Sequence, residues 1–182
     1  PSNSIAGFVD GQIIPYGSLD GGVRKLKEIS GELFAVGSFY LVDGDTSYFV
    51  AKRFNGRWIG VGDFEALNNS GLIDIEAYND EIIVAGSVSI GPEKGIFRYN
   101  NGTWEILGPG ILGGLSGVKS LATFQGSLYV AGQIRTSEGN AGENIMRWDG
   151  TQFNAVKDGI RYSLGSTSTA TVTSLVVQND LL

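Results

Sequence analysis

The residues best suited to chemistry in this 182-residue chain are carboxylates set among turn-forming residues. Asp43, Asp45, Glu93, Glu138 and Glu143 all fall in stretches that read as loops. Two carboxylates held across a cleft can hydrolyse a glycosidic bond, one as the acid and the other as base or nucleophile. No spacing singles out a pair among the five, so a solvated loop charge is the plainer reading of each. Asp43-Gly44-Asp45 is the most metal-like fragment, because acidic residues alternating around a glycine offer oxygens to Ca²⁺. It lacks the rest of a calcium loop, including a glutamate at the twelfth position, so a polar turn is the competing reading. Beyond calcium at Asp43 and Asp45, the chain implies no cofactor.

Composition excludes other chemistries. There are no cysteines and no histidines. That removes disulfides, thiolate nucleophiles, Cys/His zinc sites and histidine proton relays. Gly108-Pro109-Gly110 and Gly113-Gly114 are not followed by Lys-Ser or Lys-Thr, so they do not form a phosphate cradle. A net charge of −6 argues against a nucleic-acid partner, which needs a basic face. No apolar run approaches the roughly 18 residues that span a bilayer, so no membrane span is expected.

The elements that must position these residues repeat along the chain. Leu33-Phe34-Ala35-Val36-Gly37, Ile82-Ile83-Val84-Ala85-Gly86 and Leu128-Tyr129-Val130-Ala131-Gly132 align, and Leu182 stands where a fourth run begins. Their first residues step by 49, 46 and 54 positions. A turn marker recurs as Val9-Asp10-Gly11, Phe54-Asn55-Gly56, Tyr99-Asn100-Asn101-Gly102 and Trp148-Asp149-Gly150. A fixed period in this range, built from short strands, signals propeller blades. The expected fold is all-β: a β-propeller of four-stranded antiparallel blades forming an incomplete ring, with about three and a half to four blades in this chain.

One repeat shows the grammar. Val118–Phe124 is a first strand, Gln125-Gly126-Ser127 a tight turn, and Leu128–Gly132 a second strand apolar enough to be buried on both faces. Arg135–Glu143 is a polar loop, Asn144–Trp148 a third strand, Asp149-Gly150 a hairpin turn, and Gln152–Val156 a fourth strand. A single domain then divides into 1–22, the end of a blade; 23–71, 72–117 and 118–171, one blade each; and 172–182, the start of a blade. Val172–Val177 is expected as the first strand of that last blade. The N-terminal strands Ile5–Val9 and Gln12–Tyr16 are third and fourth strands, so the ring is unfinished. Its remainder is expected from a longer chain or a second copy. The stretches between second and third strands, Tyr40–Ser47, Val88–Lys94 and Ile134–Glu143, vary in length and content. Variable loops on a repeated frame are the usual seat of specificity.

The aromatic residues recur in register. The position before the turn holds Val9, Phe54, Tyr99 and Trp148, and the position after it Ile13, Trp58, Trp104 and Phe153. Sugar stacking is one reading of Trp58 and Trp104. The plainer reading is that Phe54, Tyr99, Trp148, Trp58, Trp104 and Phe153 pack one blade on the next, each ring burying roughly 150–250 Å².

Asn144-Ile145-Met146-Arg147-Trp148-Asp149-Gly150, Thr103-Trp104-Glu105-Ile106-Leu107-Gly108 and the stretch Val118–Gly132 resemble the secreted propeller repeats of Bacteroidetes-type bacteria. Those proteins often end in a type IX secretion sorting domain. The repeat is also similar to fungal cortical-marker propellers and, more distantly, to Kelch and galactose-oxidase propellers. The resemblance covers essentially the whole chain and implies an extracellular or cell-surface propeller. Galactose-oxidase copper chemistry needs histidine ligands and a cysteine-modified tyrosine, and this chain has neither histidine nor cysteine. Asn100-Asn101-Gly102-Thr103-Trp104 resembles the tail of a sialidase box but lacks its aspartate, and it reads as a hairpin turn. The function expected is non-catalytic binding of a protein or glycan through the inter-strand loops. The alternatives are a carbohydrate-active hydrolase or lyase using loop carboxylates, and a structural subunit of a larger surface assembly.

Overall fold

In a computed structural model of the chain, residues 5–43, 45–62, 64, 71–90, 93–113, 117–161 and 170–182 are described. Among the described residues sixteen strands run in chain order. β1 (Ala6–Val9) and β2 (Gln12–Pro15) form a hairpin. β3 (Gly22–Ile29), β4 (Glu32–Ser38), β7 (Val50–Phe54) and β8 (Arg57–Gly60) form one antiparallel sheet in that order, with β5 (Leu41–Val42) and β6 (Asp45–Thr46) as a small ribbon beside it. β9 (Leu72–Tyr78), β10 (Glu81–Ile90), β11 (Glu93–Asn100) and β12 (Thr103–Ile106) form the second. β13 (Gly117–Phe124), β14 (Ser127–Gln133), β15 (Ile145–Trp148) and β16 (Phe153–Ala155) form the third. A single 3₁₀ turn, Thr136–Glu138, is the helical element among the described residues. The protein is all-β, built from antiparallel sheets of two to four strands, and these sheets do not close a ring.

Turn chemistry sets the register. Ser30-Gly31, Asn79-Asp80 and Gln125-Gly126 join first to second strands with both residues at positive φ. That is the two-residue hairpin geometry whose twist matches the strands it joins. Asn179-Asp180 adopts the same conformation, and Gln178 pairs with Leu181 across it. The expected strand Val172–Val177 forms no ladder of its own.

The second strands are buried on both faces, as continuous apolar runs require. Phe34 and Val36 join Ile75, Val84 and Phe97 in a core between the first and second sheets. Ile83 and Ala85 join Leu121, Val130 and Met146 in a core between the second and third. Ala35 faces the other way, with Ala51, Trp58 and the residues beside the N-terminal hairpin. Each second strand carries a glycine, Gly37, Gly86 or Gly132, where the backbone of the first strand lies close against it. A Cβ on Gly132 would overlap the Gly117 carbonyl oxygen, and Gly37 meets Gly22 in the same way.

The register expected of the turn-flanking residues differs from the structure at two places. The residues opposite Trp58, Trp104 and Phe153 are Arg53, Tyr99 and Trp148. Phe54 pairs with Arg57 instead and is 53% exposed, and Val9 is likewise displaced by Phe8, which opposes Ile13. Successive strand residues face opposite ways, so an offset of one exchanges the packed residue for the exposed one. The Phe54-Asn55-Gly56 turn has one residue fewer before its glycine than Tyr99-Asn100-Asn101-Gly102. The residue opposite stands five before Trp58, Trp104 and Phe153 alike, so taking the aromatic nearest the glycine selects Phe54 in place of Arg53.

Candidate functional site: inter-sheet seats and a small cleft

Trp58 and Trp104 are seats between sheets rather than exposed platforms. Both are buried, at 1% and 6%. Trp104 donates its indole N–H to the Val61 carbonyl at 2.8 Å, and Trp58 donates to the Tyr16 carbonyl at 2.7 Å. Val61 stands three residues after Trp58, and Tyr16 three after Ile13, so the two bonds are the same contact one repeat apart. The residue after each acceptor is a glycine lying under the ring. A Cβ on Gly17 would come within 2.2 Å of Trp58, and one on Gly62 within 2.8 Å of Trp104. Trp104 stacks on Phe64 with centroids 4.9 Å apart, and Trp148 meets Phe153 edge-on at the same distance. In the first sheet Arg53 replaces the aromatic partner. Its guanidinium lies 3.6 Å over the Tyr16 ring and donates to the Tyr16 carbonyl.

A second repeated contact joins the first strands. Asp74, 4% exposed, accepts from the Ser120 hydroxyl at 3.1 Å and from the Leu121 N–H at 2.9 Å, and pairs with Lys25 at 3.5 Å. Ser120 in turn accepts from the Leu175 N–H at 3.0 Å. Lys25, Asp74 and Ser120 each stand eight residues before the run that opens the next strand, so one position in three repeats builds this line. The expected sites omit these residues, because a lone polar residue in a buried strand belongs to no motif. The eight-residue offset was the signal that finds them.

Of the five carboxylates, Asp43, Glu138 and Glu143 have described side chains, and each has its own surroundings. Asp43 is a clamp: its two oxygens accept the Ser18 N–H at 3.3 Å and the Trp58 N–H at 2.8 Å, fixing the loop to β8. Asp45 and Glu93 lie in β6 and β11, not in open loops, and their side chains are outside the described residues. The stretch Val88–Lys94 is largely strand, with Ile90 paired to Glu93. Glu138 ends the 3₁₀ turn, packed against Gly113. Glu143 accepts from the Thr136 N–H at 3.0 Å and hydroxyl at 2.7 Å. The Thr136 N–H holds its carboxyl below the usual range, against a smaller desolvation effect, with the Thr136 hydroxyl, Arg161 and Arg135 adding to the lowering. Among the described residues no three Asp, Glu, His or Cys stand together as a metal cage.

The loops of the third sheet enclose a cleft of about 260 Å³. Leu112, Met146 and Phe153 supply its apolar surface, and Asn140, Thr151 and Gln152 its polar one. Asn140 ties its walls together. Its amide donates to the Leu112 and Arg135 carbonyls and accepts from the Leu112 N–H, at 2.9–3.1 Å. Asp149 shapes the opposite wall, accepting from the N–H groups of Thr151 and Gln152, the Thr151 hydroxyl and the Asn154 amide. These donors, the Gln152 N–H first, hold its carboxyl far below the usual carboxylate range. Among the described residues no aspartate or glutamate lines the cleft itself.

No family model matches this chain, and no curated protein matches it. Among the described residues no helix is long and apolar enough to cross a membrane.

Proposed function

We propose that this chain is a stretch of β-propeller, three blades and parts of two others, that binds a protein or glycan outside the cell without transforming it. The recurrence of the tryptophan seat carries the propeller reading. Trp58 on the carbonyl of Tyr16 and Trp104 on that of Val61 stack successive sheets by one rule, as wedges about a common axis must be stacked. The extracellular setting rests on the resemblance of the repeat to secreted bacterial propellers.

The cleft on the third sheet supports binding. At about 260 Å³ it falls below the roughly 300–1,000 Å³ of drug-sized ligands, so it fits one sugar ring or one peptide side chain. Apolar rings beside an amide and a hydroxyl suit either. The hydrolase or lyase alternative needs two converging carboxylates, and the carboxylates near this cleft are instead held by threonine and backbone N–H groups. Saturation-transfer NMR with a panel of neutral and N-acetylated oligosaccharides tests the reading. Contact to at least one sugar, weakened severalfold in Gln152→Ala, is expected. Cleavage of any of these oligosaccharides overturns the non-catalytic assignment.

The reading as a subunit of a larger assembly has an observation of its own. The N-terminal hairpin leaves Phe8 and Ile13 at 76% and 77% exposure, although their counterparts in the third repeat, Trp148 and Phe153, are packed.

A further inference from the structure

The cleft on the third sheet opens where the repeated seat is altered. Trp58 and Trp104 fill their seats with an indole whose N–H meets the Tyr16 or Val61 carbonyl. Phe153 holds the position of Trp104 in the third sheet, beside Gly108, but it is one ring smaller and has no N–H to give. The carbonyl three residues after Trp104 is that of Leu107, and it accepts from the Gly110 N–H at 3.0 Å instead. Phe153, Pro109 and Gly110 all line the cleft, and Met146, 1% exposed, backs it. The edge-on contact with Trp148 holds the Phe153 ring in place.

The polar side of the cleft has bonding capacity left over. The Asn140 amide is engaged at both ends by the Leu112 and Arg135 main chain. The Thr151 hydroxyl gives its proton to Asp149 at 2.7 Å, so toward a ligand it is an acceptor. Gln152 is bonded within the protein through its main chain, the N–H to Asp149 and the carbonyl to Asn154. Among the described residues its side-chain amide has no partner, which leaves it both donor and acceptor. None of the described lining residues is charged, and the ionised Asp149 stands behind Thr151 and Gln152. That charge disfavours an anionic ligand, and an ammonium group meets no carboxylate in the lining.

We infer that the cleft takes the 2-acetamido group of a neutral N-acetylhexosamine. The inference rests on the glycan-binding reading and names the sugar class. The amide of such a group is trans, so its N–H and C=O point opposite ways and need separate partners. The Thr151 oxygen accepts from the N–H, and the Gln152 amide donates to the carbonyl. The acetyl methyl lies against Leu112, Met146 and Phe153, where removing it from water is favourable. An acetamido group alone is too small for about 260 Å³, and the pyranose ring that carries it supplies the rest. An acetylated lysine presents the same group on a thin flexible stem and leaves that space unfilled.

Saturation-transfer NMR, with titration of the Gln152 side-chain amide resonance, tests this with N-acetylglucosamine, glucose, glucosamine and Nε-acetyl-lysine as probes. N-acetylglucosamine should bind with a roughly millimolar dissociation constant, the range open to one sugar ring. Its acetyl methyl should receive the largest saturation, and glucose and glucosamine should bind at least about tenfold more weakly. Gln152→Glu keeps the length of the side chain but loses the donor, and should weaken N-acetylglucosamine at least about fivefold. Phe153→Trp restores the second ring and should abolish binding by filling the cleft. Gln152 is exposed, so Gln152→Glu carries the test alone if Phe153→Trp does not fold. Equal binding of glucose and N-acetylglucosamine, or binding indifferent to Gln152→Glu, overturns the acetamido assignment and leaves the glycan reading standing. Binding of Nε-acetyl-lysine without N-acetylglucosamine overturns the assignment and moves the reading to its protein arm. Silence from every probe at about 10 mM overturns the assignment and the glycan reading together.

Discussion

The indole N–H of Trp104 donates to the carbonyl of Val61 43 residues earlier in the chain, and the ring rests on the backbone of Gly62. This contact binds the second sheet to the first through a group that only tryptophan carries. Trp104→Phe keeps an aromatic of the kind the third repeat uses at Phe153, but it leaves the buried Val61 carbonyl without that donor. A buried acceptor left unpaired costs about 1–3 kcal/mol. Urea unfolding should show a loss of about 2 kcal/mol with an unchanged slope, and an unchanged midpoint would show that the bond contributes nothing.

Two glycines separate turn strain from backbone collision. Gly126 has φ +73 with nothing within 4 Å of a Cβ, whereas a Cβ on Gly132 would overlap the Gly117 carbonyl oxygen and crowd Val118. Gly126→Ala should cost about 1 kcal/mol, the strain of a left-handed residue. Gly132→Ala should cost at least about 3 kcal/mol or prevent folding, because main chain on a paired strand cannot move aside. Equal thermal midpoints for the two variants would contradict the close approach.

Much of this frame is legible in sequence because its signals are local. Ser30-Gly31, Asn79-Asp80 and Gln125-Gly126 state their turn type in two residues. The apolar run Leu128–Gly132 states double burial in five. The inter-sheet chemistry is less legible because its partners are carbonyls. Nothing in the identity of Tyr16 or Val61 marks it as the acceptor for a tryptophan in the next repeat. Arg53 shows the limit of pattern matching. It stands where its counterparts are aromatic, works by stacking on Tyr16, and is passed over in favour of exposed Phe54. The carboxylates mislead for a related reason, since an Asp that caps a turn and an Asp that serves a ligand are the same letter.

Asp149 gives the fold an acid-sensitive turn. Hydrogen bonds from the Gln152 and Thr151 N–H groups and the Thr151 hydroxyl favour its ionised form in the folded protein, lowering it from the ordinary 3.8. A carboxyl with a depressed folded pKa contributes stability that is complete above its unfolded value and is lost as pH falls through the folded one. The melting temperature should therefore decline progressively below about pH 4, with Glu143 adding to the same limb. Asp149→Asn should melt lower at pH 7 and show a shallower decline between pH 4 and 2. A decline as steep as in the unaltered protein would place the acid sensitivity elsewhere.

Asp43 is placed to fix a loop by its hydrogen bonds alone. With both oxygens engaged by the Ser18 and Trp58 N–H groups, Asp43→Ala should destabilise by about 1–3 kcal/mol, as loss of a carboxylate cap does. Millimolar calcium should leave the melting temperature of the unaltered protein unchanged. A rise of several degrees, abolished in Asp43→Ala, would restore the reading of Asp43-Gly44-Asp45 as a calcium site.

Asp74 links three first strands, and its substitutions distinguish charge from hydrogen bonding. Lys25 is 47% exposed at its side chain, so its ion pair with Asp74 is partly solvated and worth at most about 1 kcal/mol. The Ser120 hydroxyl and Leu121 N–H, by contrast, are buried donors with Asp74 as their acceptor. Asp74→Asn keeps an acceptor oxygen for Ser120 and Leu121 but removes the charge and sets its NH2 where Oδ1 accepts the Ile75 N–H and faces Lys25. It should cost about 1 kcal/mol, and Lys25→Ala still less. Asp74→Ala strands both donors and opens space between the second and third sheets, so it should cost about 3–5 kcal/mol. Equilibrium unfolding of the three variants gives the order Lys25→Ala, Asp74→Asn, Asp74→Ala. If Lys25→Ala is as damaging as Asp74→Ala, the line between the first strands is held by charge and not by the repeated hydrogen bond.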